Sequence, residues 1–447
     1  MASEWATPPS REELLAAGER VRKTTPRRSL AGLPGGARDP LGIIAAQNLT
    51  RIPELVPLRT ERMSASPFAF YRGTAALMAA DLADAPHSGI LVASCGDAHV
   101  SNFGFYASQQ RSLMFDLNDF DESAWAPWEW DVKRLVTSIV IGGRATDRSN
   151  AVIEQAAHAA VHSYTQAITR SSALSPTARY FTHFDVDATR SMFDKATRKA
   201  IRSSTKQAQR RTTERAVRKM TLQDADGRRR FVHQPPTTTA LEPDVRAIVH
   251  GLVDQYRAST NEDIALLLDH YRVSDAARRV VGVGSVGTRC YLVLMQDGDD
   301  NTLLLQPKQA SQSVLVEYGA IAQPERLTDL IEAKGEGGRV VAMQRVLQGL
   351  SDPFLGHLRA PNGDYYVRQF HDMKGSIEIE QLDDGPFITY GRACAAIVAR
   401  AHSQSIASTE VAGYLGRGRI VSDALLEWAH AYADVSRADY DAFIAAQ

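Results

Sequence analysis

The chain has 447 residues, of which 44% are hydrophobic and 23% are charged, a composition typical of a globular protein with two or three domains. Its 51 Lys and Arg nearly balance 52 Asp and Glu, and the net charge of -1 argues against a protein that coats nucleic acid or an anionic membrane. Three widely separated cysteines, Cys95, Cys290 and Cys394, argue against a disulfide framework or a cysteine-rich zinc site.

The start of the chain shows no secretory signal, and no apolar run reaches the 18 residues typical of a membrane span. We therefore expect a cytoplasmic protein without a membrane partner. Residues 1–40 contain a stretch rich in Arg, Pro and Gly at 22–40 and are predicted to be a flexible N-terminal lead-in.

Apolar residues at helical spacing dominate the next part of the chain, so residues 41–275 are predicted to form a helical lobe. Within it, residues 190–230 carry 14 Lys and Arg against 4 Asp and Glu. This basic insert is predicted to be either a solvated or mobile helical segment or a docking surface for an anion. It lacks interleaved aromatic residues, which argues against a nucleic-acid partner. The lobe is predicted to contain helices at 66–84, 132–144 and 150–168, a buried strand at 90–94, and a hairpin with strands at 103–106 and 113–117.

Strand-like alternation begins near residue 279, and residues 276–375 are predicted to form a smaller lobe that contains a sheet. Residues 376–447 are predicted to be helices that pack on the first lobe. The chain as a whole is therefore predicted to be α+β. The strands of the smaller lobe are predicted at 290–295, 302–308, 340–346 and 365–370.

Carboxylate and amide side chains cluster after the first predicted strand. Asp97 precedes Asn102 by five residues, and Asp119 and Asp121 follow the predicted hairpin. Transfer of a phosphoryl group from a nucleoside triphosphate requires a carboxylate that orients the acceptor hydroxyl, and oxygen ligands that hold magnesium on the phosphates. We expect Asp97 to be the acceptor-orienting base, and Asn102, Asp119 and Asp121 to be the Mg²⁺ ligands.

A glycine-rich segment containing Gly282, Gly284, Ser285 and Gly287 lies between predicted strands, and Lys308 follows 21 residues after its last glycine. A dinucleotide-binding fold would place a helix directly after such glycines, whereas a strand-like run follows here. Glycine loop, strand, turn and a strand ending in lysine is the order of a protein-kinase small lobe. We expect the loop and the lysine to bind the triphosphate of ATP.

These motifs resemble those of the protein-kinase-like superfamily, especially its aminoglycoside and choline phosphotransferases. Gly96, Asp97, His99 and Asn102 match the catalytic loop G-D-x-H-x-x-N, and residues 119–121 match the metal-binding segment D-[FW]-[DE]. The resemblance implies a two-lobe kinase-like fold. In ordinary kinases the glycine loop comes before the catalytic Asp, but here it follows by about 185 residues. We therefore expect a circular permutation, which close chain termini make tolerable.

The amino-acid sequence as a whole also resembles one bacterial family within that superfamily, the domain-of-unknown-function family 2252. The resemblance spans roughly residues 50–440 and implies a fold rather than a substrate. It is carried by segments such as SPFAFYRGTAALMAADLA, CGDAHVSNFGFY and FDLNDFDESAWAPWEWDVKRL.

The resemblance also bears on three residues near the predicted catalytic loop. The related phosphotransferases place a further Asp about a dozen residues after the metal ligand, where Asp131 falls. That register favours Asp119 over Asp116, whose spacing from Asn102 would also permit metal binding. Asp131 is expected to cap a helix or brace the loop. His99 is a candidate catalytic residue that would brace the loop by hydrogen bonding.

Two arginines, Arg72 and Arg368, are candidate phosphate ligands, although each would equally suit a structural salt bridge. The carboxylate partner of Lys308 is expected to be Glu317 or Glu325.

Taken together, the motifs predict a Mg-ATP-dependent phosphotransferase acting on a hydroxyl of a small-molecule acceptor that the sequence does not name. Nucleotidyl transfer at the same site is one alternative. A non-catalytic nucleotide-binding or scaffold protein, whose basic insert docks a partner, is the other.

Overall fold

A computed structural model describes residues 7–184, 195–210, 212–370 and 375–447. Its helices and antiparallel sheets confirm the predicted α+β class. The helices are α1 (Arg11–Thr24), α2 (Pro40–Leu49), α3 (Val56–Ser64), α4 (Pro67–Arg72), α5 (Ala75–Ala83), α6 (Trp128–Ala145), α7 (Asn150–Ser172), α8 (Pro176–Tyr180), α9 (Lys195–Gln209), α10 (Thr213–Met220), α11 (Pro243–Ser259), α12 (Glu262–Leu268), α13 (Val314–Glu317), α14 (Glu325–Leu347), α15 (Asp384–His402), α16 (Ser408–Leu415) and α17 (Arg419–Ala445). The strands are β1 (Leu91–Ser94), β2 (Phe103–Ala107), β3 (Leu113–Leu117), β4 (Ala124–Pro127), β5 (Thr221–Gln223), β6 (Arg229–Phe231), β7 (Thr238–Ala240), β8 (Arg272–Arg279), β9 (Tyr291–Gln296), β10 (Thr302–Ala310), β11 (Gly356–Ala360), β12 (Gly363–Gln369) and β13 (Gly375–Ser376).

The predicted flexible lead-in, residues 1–40, instead contains helix α1, which is docked on α16. Ser10 and Glu13 form a capping box that starts the helix. Arg22 donates hydrogen bonds to the carbonyls of Gly413 and Tyr414 at the end of α16. The local composition rich in Arg, Pro and Gly therefore did not reveal that this segment packs on the body of the protein.

The main core is built from the long helices α6, α7, α15 and α17. Trp128 stacks on Tyr164, with ring centres 5.5 Å apart, and both side chains are fully buried together with Trp428 of α17. The helices predicted at 132–144 and 150–168 correspond to α6 and α7. This core lies behind two small sheets, β1–β4 and β13–β2–β3, which carry the predicted catalytic segments.

The hairpin of β2 and β3 forms as predicted and brings two predicted site segments together. Gly104 pairs with Asp116 in its register. At the open end of the hairpin, the backbone amide of Asn118, which follows β3, donates to the carbonyl of Asn102, which precedes β2, at 2.9 Å. The end of the first segment, at Asn102, thus lies next to the start of the second, at Asp119.

A six-stranded antiparallel sheet, in the order β11-β12-β10-β9-β8-β7, forms the smaller part of the molecule. Helices α11 and α12 cover one face, where Val245 and Ile264 pack with Tyr291 and Leu305. Strand β7, which begins at Thr238, is an edge strand of this sheet. Residues 238–275 therefore belong with the sheet rather than with the predicted helical lobe.

Residues 340–346, predicted to be a strand, are part of helix α14. Their buried members Val340, Val341, Met343 and Gln344, with Leu347 beyond them, recur at helical rather than alternating spacing. The short apolar run was ambiguous because it contains too few residues to separate the two periods. Helix α14 bends at Gly335, whose φ is 70°.

The basic insert is described at 195–210 and 212–230, whereas residues 190–194 and 211 lie outside the described residues. It forms α9, α10 and the β5–β6 hairpin, with Val217 of α10 packed against the second face of the large sheet. Lys195, Arg198 and Arg202 of α9 are exposed. In the described part of the chain, no helix combines the length and apolarity that a membrane crossing requires.

Helix α6 buries a lysine in the helical core. Lys133 of α6 places Nζ 3.6 Å from the ring centre of Trp428, and the ammonium makes no hydrogen bond to any described residue. Burial lowers the pKa of Lys133 to about 7, although the nearby carboxylate of Glu129 opposes this shift. The folded protein therefore resists protonation of this amine.

We expect Lys133→Met to raise the free energy of unfolding by roughly 1–3 kcal/mol at pH 6. The folded-state pKa of about 7 lies below the ordinary value of 10.5. The penalty in the wild type is therefore complete below the folded value, and it disappears as the pH rises past the unfolded one. Urea denaturation at pH 6, 8 and 10 measures how the difference in free energy of unfolding between Lys133→Met and the wild type shrinks as the pH rises. Lys206→Met, at an exposed position, is the control, and a loss of stability in Lys133→Met at every pH would show that the Trp428 contact dominates.

Candidate active site

Asp131 fixes the loop that follows β1. Its carboxylate accepts hydrogen bonds from the backbone amides of Cys95 at 2.8 Å and Gly96 at 3.0 Å, and it lies 3.1 Å from Nε2 of His402. Gly96 has a φ of 81°, and a Cβ there would lie 2.2 Å from the carbonyl oxygen of Glu122. Only glycine fits at position 96, the residue before Asp97.

Asp97 lies at the end of this loop and is held by an arginine that the sequence analysis missed. Nε of Arg134 donates to Asp97 Oδ1 at 2.8 Å, and its guanidinium stacks on the ring of Tyr71 at 4.0 Å. Burial raises the pKa of Asp97; Arg134 opposes the rise and the carboxylate of Asp119 adds to it. Arg134 lies three residues after Asp131 on α6, a helical spacing that would have indicated a second contact to the same loop.

His99 and Asn102 brace the same loop. Nδ1 of His99 accepts a hydrogen bond from the amide of Ser101 at 3.2 Å, which places the ring proton on Nε2, 3.6 Å from Asp97 Oδ2. Burial lowers the pKa of His99 well below its ordinary value, and Arg134 adds to this effect. Asn102 Nδ2 donates to the Asp97 carbonyl at 2.7 Å. The neutral imidazole is therefore suited to positioning Asp97 rather than to removing a proton.

Lys308 meets the predicted metal-binding segment directly. Its buried Nζ lies 2.7 Å from Asp121 Oδ2 and 3.6 Å from Asp119 Oδ1. Burial alone would lower the pKa of Lys308, but the two carboxylates outweigh it and raise the pKa well above its ordinary value. The predicted partners Glu317 and Glu325 are wrong, because the side chain extends from the sheet toward the hairpin rather than toward the helices that follow it.

Asp116 is unsuited to bind metal, because its oxygens are already engaged by the backbone. Oδ1 accepts from the Leu117 amide at 2.8 Å, and Oδ2 accepts from the Gly349 amide at 2.8 Å. Asp119 is about one-third exposed, whereas Asp116 is buried. This difference agrees with the preference for Asp119.

No group of three or more His, Cys, Asp and Glu side chains that could hold a metal occurs among the described residues. The predicted set instead combines Asp119 and Asp121 with the amide of Asn102. Oδ1 of Asp121 is buried and accepts no hydrogen bond from a described residue. Magnesium is commonly held by one or two carboxylates, with water and substrate phosphates completing its shell. The oxygens present fit that ion.

The glycine loop joins β8 to β9 and lies against the N-terminal helices. Ile52 donates its amide to the Gly287 carbonyl at 2.8 Å, and Arg51 donates to the Val286 carbonyl at 2.6 Å. The amides of Gly284 and Ser285 donate to no residue that the structure describes. The loop thus turns its carbonyls toward the protein and leaves these two amides available.

Arg72 connects the glycine loop to the predicted catalytic loop. A Cβ at Gly284 would lie 3.3 Å from the Arg72 carbonyl, and the Arg72 guanidinium interacts electrostatically with Asp97 and Glu380. Its Nε is buried and makes no hydrogen bond to the described part of the chain. Burial lowers the pKa of Arg72, with the two carboxylates opposing. This guanidinium is placed to receive an anion beside Asp97.

Arg368 stands on β12 next to the Lys308 cluster. Its Nε donates to Gln306 Oε1 at 3.2 Å, and its Nη1 donates to the carbonyl of Asn118 at 3.4 Å. Burial would lower the pKa of Arg368, but Tyr366 and the carboxylates of Asp119 and Asp121 raise it. Arg368 therefore adds positive charge beside the carboxylates.

Glu122 is a further site residue that the sequence analysis did not select. Its carboxylate accepts from the Val314 amide at the start of α13 at 2.8 Å, and its carbonyl accepts from the Ser313 hydroxyl at 2.8 Å. Burial raises the pKa of Glu122 to about 7. A carboxyl group that changes protonation near neutral pH thus lies beside Asp121, and the acidic run at 119–122 was its sequence signal.

We expect Asp131→Ala to lower the free energy of unfolding by about 2–5 kcal/mol, because two buried amides and His402 lose their acceptor. Chemical denaturation at pH 7 measures the change. Asp434→Ala is the matched control, since this carboxylate is 72% exposed in a surface pair and its loss is expected to change stability by less than about 0.5 kcal/mol. Equal effects in the two variants would show that Asp131 does not hold the loop.

Comparison with known proteins identifies a family but no reaction. No curated protein and no solved structure matches the chain. One family model does match, over residues 51–446, and its description is an uncharacterized protein conserved in bacteria, DUF2252. Because that match covers most of the 447 residues, the chain belongs to this bacterial family, as the resemblance in its sequence indicated.

Proposed function

We propose that the protein is a Mg-ATP-dependent phosphotransferase that acts on a hydroxyl group of a small-molecule acceptor. The observation that carries the proposal is the buried contact of Lys308 with Asp121 and Asp119, next to Asp97 and Asn102. A lysine from a sheet, oxygen ligands from a hairpin and a carboxylate from a preceding loop are the parts that phosphoryl transfer uses.

We further propose that the fold is a two-lobe kinase-like fold with a permuted chain order. The glycine loop on the β8–β9 hairpin, Lys308 on the next strand, and helix α14 after it follow the order of a kinase small lobe. The catalytic-loop residues come earlier in the chain, on the helical part. The α+β architecture accommodates this order.

In the proposed reaction, the acceptor hydroxyl lies against Asp97, which Arg134 and His99 orient. The hydroxyl oxygen forms a bond to the γ-phosphorus, the bond from that phosphorus to the β–γ bridging oxygen breaks, and the hydroxyl proton passes to the Asp97 carboxylate. Lys308 and Arg368 supply positive charge, and the amides of Gly284 and Ser285 face the phosphates. Arg72 would stabilise negative charge beside Asp97.

Asn102, Asp119 and Asp121 would hold Mg²⁺. When bound, the ion neutralises negative charge on the phosphates. In Asp121, Oδ2 contacts Lys308, whereas Oδ1 accepts no hydrogen bond from a described residue. The lysine and the ion would therefore share this carboxylate.

The three cysteines of the chain are free and buried. Free thiols suit a reducing compartment, and this supports our proposal that the protein works in the cytoplasm.

We expect ATP to raise the melting temperature only when magnesium is present. A ligand at a hundredfold excess over its Kd adds about 2.7 kcal/mol to the stability of the native state. Thermal-shift titration with ATP, with and without Mg²⁺, is the measurement. Asp119→Asn should abolish the magnesium dependence, whereas Asp329→Asn, on the exposed side of α14, should retain it. A shift that needs no magnesium would favour inert nucleotide binding. Analysis of the reaction products distinguishes the other alternative, because transfer of AMP instead of phosphate would favour nucleotidyl transfer.

We expect Asp97→Asn to lose roughly 10²–10⁴-fold in turnover of Mg-ATP, because a positioned base is removed. Release of ADP, with water or an added polyol as acceptor, measures turnover. The variant should still show the ATP-dependent thermal shift, which establishes that its site is folded. Full turnover in this variant would remove Asp97 from the mechanism.

A further inference from the structure

A polar cavity of about 240 Å³ lies beside the candidate active site. Asn118 and Arg368 form part of its wall. Arg368 also interacts electrostatically with Asp119 and Asp121. The cavity and the proposed phosphate-binding cluster therefore have Arg368 of β12 in common.

Five of the residues that line this cavity have amide side chains. They are Gln109, Asn118, Gln344, Gln348 and Gln369, and a side-chain amide carries both a donor and an acceptor. Paired donors and acceptors match the edge of a nucleobase, which Asn and Gln bind in this way.

The lining also contains two aromatic residues, Phe354 and Tyr106, and two further charged residues, Arg111 and Asp352. Aromatic rings can stack on a nucleobase. The cavity thus combines aromatic, amide and charged side chains.

We infer that this cavity receives the base of the nucleotide and that the amide of Gln344 binds the edge of that base. The inference rests on the proposed function, and it adds the location and the means of base recognition. The triphosphate then extends past Arg368 toward Lys308.

The lining residues also hold the strand that leads to the metal ligands. Gln344 Nε2 donates to Gln348 Oε1 at 2.9 Å, and Gln348 Nε2 donates to the Leu117 carbonyl at 2.9 Å. Leu117 ends β3, two residues before Asp119. A base bound to Gln344 would therefore be connected through Gln348 to the end of β3.

The test compares Mg-ATP with Mg-tripolyphosphate, which has the phosphates but no base. Gln109→Trp places a large ring at an exposed position on the cavity rim, and Gln109→Ala is its matched control. Calorimetric titration should show at least tenfold weaker Mg-ATP binding in Gln109→Trp than in Gln109→Ala, with Mg-tripolyphosphate binding unchanged. Unchanged Mg-ATP binding in Gln109→Trp would overturn the inference.

A second variant tests recognition by the amide of Gln344. Gln344→Met keeps the side-chain volume and removes the amide, so the wild-type preference between ATP and GTP should shrink at least fivefold. An unaltered preference, or none in the wild type, would contradict base recognition by Gln344. Equal affinity of the wild type for Mg-ATP and Mg-tripolyphosphate would overturn the cavity assignment and leave the proposed function standing. Failure of both ligands to bind would overturn the proposed function and this inference with it.

Discussion

The buried ammonium of Lys308 is the constraint on which the candidate site depends. A buried charge without a partner is penalised by several kcal/mol, so Lys308 requires a carboxylate within reach. Its partners Asp121 and Asp119 do not belong to the sheet that carries the lysine, but to the segment that follows the β2–β3 hairpin. The ion pair therefore links the six-stranded sheet to the helical part. The predicted nucleotide site lies where these two parts meet, and the lysine becomes both a structural link and a source of positive charge.

The predicted catalytic loop is held by the same principle with different partners. Asp131 satisfies the amides of Cys95 and Gly96, and Arg134, one helical turn later, pairs with Asp97. Both side chains come from α6, so one rigid helix sets the position of the backbone and of the carboxylate at once. This arrangement explains how a partly buried Asp97 can lie beside a like-charged Asp119. The arginine offsets a repulsion that would otherwise separate the two segments.

The sequence could predict the parts of the site that follow from local pattern. Asp97, Asn102 and Asp119 stand at spacings that a strand and a hairpin bring together, and the hairpin forms as expected. The partner of Lys308 could not be derived in this way, because a pairing across 187 residues depends on how the sheet docks. Local composition also concealed the docking of α1, and the short apolar run at 340–346 carried no clear period. Long-range packing, and not motif chemistry, is what the sequence left undetermined.

The contacts around the glycine loop show why chain order need not fix the site. The loop is encoded late in the chain, but Arg51 and Ile52, near the N-terminus, bind the carbonyls of Val286 and Gly287. The predicted catalytic loop is encoded early, but His402, near the C-terminus, lies against Asp131 behind it. Each of these two loops is thus supported by residues from the opposite end of the sequence. Since the contacts do not depend on which segment is synthesised first, the same set of side chains would form a site in a permuted chain as it would in an unpermuted one.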